Sequence, residues 1–233
     1  MTLKAIQLSI PFIGKIIRWI VGAFFASTIL AVVALKFMPV YFTPLMFIRA
    51  AEQIGEGHFP KMHHRWVPMS EITEEMPTAV MASEDQRFLI HHGFDFDAIQ
   101  KAAKHNKTSK TKHGASTISQ QTAKNVFLWP GRSWVRKGFE MYFTVLIEFI
   151  WGKERIMEVY LNSIEMGDGI YGVDAVAEDH FGKSASTLSR RDCALIAATL
   201  PNPRRFSSKE PSAYMLKRQR FIVGQMKWVK WEP

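Results

Sequence analysis

From Trp19 to Leu35 the chain carries no charged residue, and the apolar run extends from Ile16 to Val40 if Arg18 and Lys36 reach toward a polar boundary. A bilayer span needs roughly 20 apolar residues and must satisfy every backbone polar group internally, which dictates a helix. A cleaved leader is the competing reading, but its apolar region is usually about 7–15 residues and ends in small residues. Here the run is longer and ends in Lys36-Phe37-Met38-Pro39, a poor cleavage site. The expectation is an uncleaved transmembrane helix over 16–40. Lys4, Lys15 and Arg18 precede it, and residues 1–39 hold no acid. The positive-inside rule then puts 1–15 in the cytoplasm and the rest of the chain outside a cytoplasmic (inner) membrane.

With 233 residues there is room for one good-sized domain beyond the anchor. The stretch YFTPLMFIRAAEQI (41–54) is oily enough to lie at a membrane interface. Gly55, Gly57 and Pro60 follow it, so 41–69 reads as a juxtamembrane segment and linker, with the domain proper over 70–233. Pro77 suits the first turn of a helix running toward Phe88, with Gly93 as its stop. Residues 101–113 hold five lysines and no acid and read as a mobile, solvated loop. Thr117 and Gln120 have capping-box spacing, and Ser189 and Asp192 cap a later helix that ends before Pro201. Between them, 133–151 is apolar nearly all round, which predicts a buried central helix. Residues 153–162 continue the helical pattern; strand signals are sparse, and the expected fold is mainly α.

The formal net charge is +9, and residues 201–233 alone hold eight basic residues against Glu210 and Glu232. That balance suits phosphates or acidic lipid; with no nucleic-acid motif in the chain, nucleic acid is not an expected partner. Cys193 is the single cysteine, so no intrachain disulfide can form. His63-His64 and His91-His92 project in different directions and lack a zinc-site motif.

Two placements of charge carry chemistry. Residues 79–93, AVMASEDQRFLIHHG, set Glu84 and Asp85 in an apolar helical stretch, with Phe88 and His91 at i+4 and i+7 from Glu84. Arg136, Glu140, Thr144 and Glu148 share one stripe of the apolar helix. One reading makes Arg136–Glu140 a pair that merely satisfies itself. The other makes Glu84 and Glu140 two carboxylates whose environments give them different roles. Thr117, Gln121 and Lys124 at helical spacing, with Arg132 and Arg136, fit group transfer from an anionic, phosphate-bearing donor. A sugar hydrolase needs no such cationic cradle.

At these residues the chain resembles the peptidoglycan glycosyltransferases. EDQRFLIHHG (84–93), GASTISQQTAKN (114–125), RKGFE (136–140) and KERIMEVYLN (153–162) match the family's motifs in order. LSRRDCALIAATLPNP (188–203) resembles the final helix, with Asp192 where Glu is usual and Cys193 in a small-residue slot. The stretch that remains leaves no room for a transpeptidase domain, which suggests the monofunctional, membrane-anchored form. The resemblance implies a lysozyme-like helical domain on a single N-terminal transmembrane helix. It implies polymerisation of lipid II into β-1,4 glycan, with inversion and release of undecaprenyl diphosphate. Glu84 would be the catalytic base; Glu140 would be a second catalytic carboxylate, holding the diphosphate directly or through a divalent metal (Mg or Mn). Asp85, Phe88, His91, Ser116, Thr117, Gln121, Lys124, Arg132 and Arg136 would bind substrate. The implied partners are lipid II, the growing glycan strand, the membrane, and cell-wall synthesis or division proteins. The rival activities are a lytic enzyme on the same general fold and a non-catalytic scaffold that binds lipid II.

Overall fold

A computed structural model describes residues 3–109 and 114–233, with side chains from Phe12 onward. It divides into two compact units, residues 1–38 and 39–233. The first is α1 (Leu3–Phe37), whose Phe12–Phe37 portion has a mean hydropathy of 2.2 over its best window. At ~1.5 Å per residue those 26 residues exceed the ~30 Å of a hydrocarbon core. By length and composition this helix suits one membrane crossing.

The second unit is mainly helical. Its first helix, α2 (Pro44–Gly55), starts on Thr43, whose hydroxyl accepts from the Met46 amide, with Pro44 in the first turn where no N–H is needed. Met46 and Gln53 are buried, and Gln53 Oε1 accepts from the Lys61 amide at 2.7 Å. Beyond it, β1 (His63–His64) pairs in parallel with β3 (Ile170–Tyr171), which pairs antiparallel with β2 (Glu165–Gly167). Asn162 grips Val67 on both sides, accepting from its amide and donating to its carbonyl, each at 2.9 Å. Residues 41–53 and 61–69 are thus tied into this unit by side-chain hydrogen bonds that composition does not announce, while 54–60, with Gly55, Gly57 and Pro60, are exposed throughout.

Two expectations fail next. The helix α3 (Glu75–Glu84) has Pro77 in its first turn but ends at Glu84, and Asp85 leaves helical geometry with φ −160° and ψ 77°. Phe88 and His91 therefore sit on turns, and their helical spacing from Glu84 carries no structural meaning. The lysine-rich stretch is also helical as far as it is described. In α4 (Phe96–Thr108), Asp95 caps the N-terminus and His105 and Lys107 occupy the last turn, where cations oppose the helix dipole. Residues 110–113 lie outside the described residues.

The capping box of Thr117 and Gln120 opens α5 (Ile118–Phe127), and the box of Ser189 and Asp192 opens α9 (Arg190–Thr199). Ser133 caps α6 (Trp134–Ile150) by accepting from the Arg136 amide at 3.1 Å. After these come α7 (Lys153–Ser163), α8 (Val173–Phe181) and, last, α10 (Ala213–Gln225). Gly172 stands before α8 with φ +83°, where a Cβ would lie 2.6 Å from the Asn162 carbonyl oxygen; only glycine lets α7 and α8 meet so closely. The core lies where α5 packs between α6 and α7 and α9 packs between α3 and α10. Met76, Met81, Ile118, Ile156, Met157 and Leu161 are among its fully buried side chains.

The expected buried central helix is the third correction. In α6 the buried side carries Arg136, Glu140, Thr144, Phe143 and Ile147, while Trp134 and Phe149 are 93% and 90% exposed and Val135, Met141 and Val145 are exposed beside them. Its neighbours α5 and α7 cover only one side, and that side holds the charges. Apolar content alone did not reveal which face packs.

Candidate active site

Glu84 ends α3 with its side chain 15% exposed. Its Oε1 accepts from Ser83 Oγ at 3.2 Å and its Oε2 from Gln121 Nε2 at 3.2 Å. Gln121 is itself held, because its Oε1 accepts from the Tyr160 hydroxyl at 3.2 Å. Burial raises the Tyr160 pKa well above its ordinary value, and the nearby Glu84 and Asp85 charges push the same way, so it stays a donor. Arg218 of α10 adds a cation 3.9 Å from Glu84 Oε1 and donates to Ser83 Oγ.

Asp85 is committed elsewhere. Its two oxygens face His91 Nε2 at 3.0 and 2.9 Å, and Oδ2 also accepts the Ile118 amide at 3.0 Å, at the start of α5. The Gly93 amide donates to His91 Nδ1, and Thr117 Oγ1 donates to the Gly93 carbonyl at 2.7 Å. These bonds tie the turn after Glu84 to the start of α5. Beneath them Phe88, fully buried, has Lys153 Nζ 4.6 Å over its ring, and Lys153 also pairs with Glu148 at 2.7 Å. Glu148 accepts from Ser119.

Two hollows meet at this framework. A smaller one of about 250 Å³ is lined by Glu84, Asp85, Arg87, Gly114, Ser116 and Thr117. A larger cavity of about 500 Å³ is lined by Ser116, Gln121, Lys124, Arg132, Arg136, Lys137, Glu140 and Glu165, with Arg49 and Leu45 of α2 on its wall. Ser116 lines both, and Gln121 lines the larger one while bonding Glu84. Both oxygens of Glu140 are engaged, Oε2 by Arg136 Nη1 at 2.7 Å and Oε1 by Lys137 Nζ. Burial lowers the Lys124 pKa; the Glu140 charge opposes this, Arg136 and Lys137 add to it, and Glu165 opposes it again.

Of the residues expected from sequence, Glu84, Ser116, Gln121, Lys124, Arg132, Arg136 and Glu140 therefore converge on two adjoining spaces. Phe88 does not, having no exposed surface to offer a ligand. Asp85, His91 and Thr117 are 7%, 8% and 2% exposed, with their polar atoms spent on one another and on the backbone. Asp85 and Thr117 nonetheless line the smaller space, so they brace its wall, and His91 holds Asp85 from behind. Lys137, Glu165, Arg49, Tyr160 and Arg218 were missed. The second basic residue of RKGFE and the tyrosine of VYLN were signals for two of them; Arg49, Glu165 and Arg218 had none.

A metal does not fit the protein groups alone. Among the described residues no three His, Cys, Asp or Glu side chains converge, and Glu140 is occupied by two cations.

The sequence pattern of the transglycosylase family matches residues 51–227. A biosynthetic peptidoglycan transglycosylase of Bacteroides thetaiotaomicron is 61% identical over 220 residues, which span 93% of this chain and 89% of that protein. Proteins of the same description from Bdellovibrio bacteriovorus and Caulobacter vibrioides are 55% and 49% identical, over 90% and 91% of this chain and 85% and 91% of theirs. An acid held at the mouth of one space, a bank of cations around the next, and this run of shared sequence lead to one conclusion: the chain belongs to the transglycosylase family.

Proposed function

We propose that the protein is a peptidoglycan glycosyltransferase that joins lipid II units into linear β-1,4 glycan, with Glu84 as the base. The observation that carries this reading is the adjacency of Glu84, fixed by Gln121 and Tyr160, to a cavity ringed by Lys124, Arg132, Arg136 and Lys137. The acceptor's 4-hydroxyl sits by Glu84, which takes its proton as the oxygen attacks the donor's anomeric carbon. The bond from that carbon to the diphosphate breaks with inversion, and the electron pair leaves on the diphosphate. Fixed cations meeting charge as it develops lower such a barrier more than water does. A lytic enzyme expels no diphosphate and has no use for that cation bank.

Glu140 orients Arg136 and Lys137, and a divalent ion would arrive on the diphosphate. The anchor keeps the site near a substrate whose lipid stays in the bilayer, and the basic residues before it favour a cytoplasmic N-terminus and an extracytoplasmic domain. The test is polymerisation of labelled lipid II by detergent-solubilised protein, wild type against Glu84→Gln. Loss of a positioned base costs about 10²–10⁴ in rate. Wild-type protein that leaves lipid II untouched but shortens preformed glycan would overturn the reading.

A further inference from the structure

Most of the basic stretch over 201–233 is spread on the surface: of its eight lysines and arginines, seven are exposed. Arg218 is the exception. It lies in α10 with its side chain 29% exposed, on the face that Met215 and Ile222 bury three and four positions away. Its Nη2 lies 3.3 Å from Ser83 Oγ and 3.9 Å from Glu84 Oε1. Two turns further on, Gln225 Oε1 accepts from Gln86 Nε2 at 3.1 Å. The helix α10 thus touches the chain on both sides of Glu84, although it carries none of the groups assigned to the reaction above.

At 3.9 Å Arg218 is too far from Glu84 for a direct hydrogen bond, so the bonded route between them runs through Ser83. The Ser83 hydroxyl has a single proton and two acceptors in reach, Glu84 Oε1 at 3.2 Å and the Ala197 carbonyl at 3.4 Å. Only one of them can have it. An N–H of Arg218 bound to Oγ occupies a lone pair of that oxygen and polarises its O–H. A polarised hydroxyl favours the charged acceptor over the neutral one. The guanidinium therefore decides the contest in favour of Glu84.

We propose that Arg218 is a positioning residue for the reaction: by donating to Ser83 it commits the Ser83 proton to Glu84 Oε1, so that the carboxylate is held at both oxygens when the acceptor hydroxyl arrives. This rests on the glycosyltransferase reading above, with Glu84 as the base. Gln121 alone would leave the carboxylate to pivot about one bond. Arg218 lines neither of the two spaces, so it sets the rate of proton transfer without touching substrate.

The experiment measures kcat and KM with lipid II for wild type, Arg218→Met, Ser83→Ala and the double variant. Arg218→Met lowers kcat about tenfold, in keeping with the loss of one hydrogen bond to a charged group, and leaves KM nearly unchanged. Ser83→Ala lowers kcat by a similar factor, and the double variant falls no further, because both changes break one chain. Arg218→Lys, which keeps the charge without the planar fork, recovers part of the loss. Losses that multiply in the double variant, a raised KM at unchanged kcat, or a kcat equal to that of wild type overturn the proposal. If Arg218→Met does not fold, Arg218→Lys with and without Ser83→Ala makes the same comparison: its effect on kcat vanishes in the Ser83→Ala background, and an effect that persists there overturns the role. Wild type that does not polymerise lipid II overturns the function and this role with it, whereas full-rate polymerisation by Arg218→Met overturns the role alone.

Discussion

Gly93 is the place where backbone geometry and the candidate site constrain each other most tightly. It has φ +89°, and a Cβ there would stand 2.9 Å from Thr144 Cγ2 and 3.1 Å from Glu148 Cγ. Gly93→Ala therefore suffers twice. Left-handed geometry costs a non-glycine residue about 1–2 kcal/mol, and overpacking a filled interior adds about 1–3 kcal/mol. A loss of about 3 kcal/mol in a protein of this size lowers Tm by roughly 6–12 °C. The damage also reaches the site, because the Gly93 amide donates to His91 Nδ1 and its carbonyl accepts from Thr117. Thermal unfolding of the detergent-solubilised protein, followed by circular dichroism, reads the first effect, and lipid II turnover reads the second. Thr144→Ser separates the two costs: it removes Cγ2 but keeps the hydroxyl that donates to the Glu140 carbonyl at 2.6 Å. Gly93→Ala with Thr144→Ser recovers the Thr144 share of the crowding and leaves the φ part and the Glu148 contact. An alanine variant within about 0.5 kcal/mol of wild type, the range of ordinary surface changes, refutes the reasoning. So does a double mutant no better than the single one.

Lys124 must be charged to meet a diphosphate, and its pKa is lowered by burial, so its charge is lost at lower pH than that of an ordinary lysine. The rate falls on the alkaline side accordingly, and Lys124→Arg moves that limb to higher pH even where it slows the reaction; an unmoved limb assigns it to another group. Chelation with EDTA lowers turnover less than tenfold, whereas Lys124→Ala costs about 10²–10³, the usual effect of removing one charge-stabilising donor. Complete loss on chelation, restored by Mg or Mn, makes the metal indispensable and the cation bank insufficient.

What the sequence made legible was local and chemical. The capping boxes at Thr117 and Ser189, the helix after Pro77 and the apolar anchor all depend on residues within a few positions of one another. That Glu84, Gln121, Lys124, Arg136 and Glu140 come together was legible because such groups are constrained in type. What failed depended on the third dimension. Nothing local says that the helix stops at Glu84, because the reason lies in Asp85, which is drawn to the Ile118 amide 33 residues away. The faces of α6 were misread because apolar count ignores which neighbours arrive. Glu165 and Arg49 are far apart in sequence and become a pair only when α2 and β2 meet.

The grip on Glu84 has a consequence for timing. A glutamate carboxylate normally turns about its last bond, sampling orientations that mostly present the wrong lone pair. Here Ser83 holds one oxygen and Gln121 the other, with Tyr160 preventing the amide from flipping. For the base proposed above, these contacts fix the plane of the Glu84 carboxylate before an acceptor arrives. Changes that loosen this grip, such as Tyr160→Phe, leave substrate capture intact and make each bound pair wait longer for its proton to move.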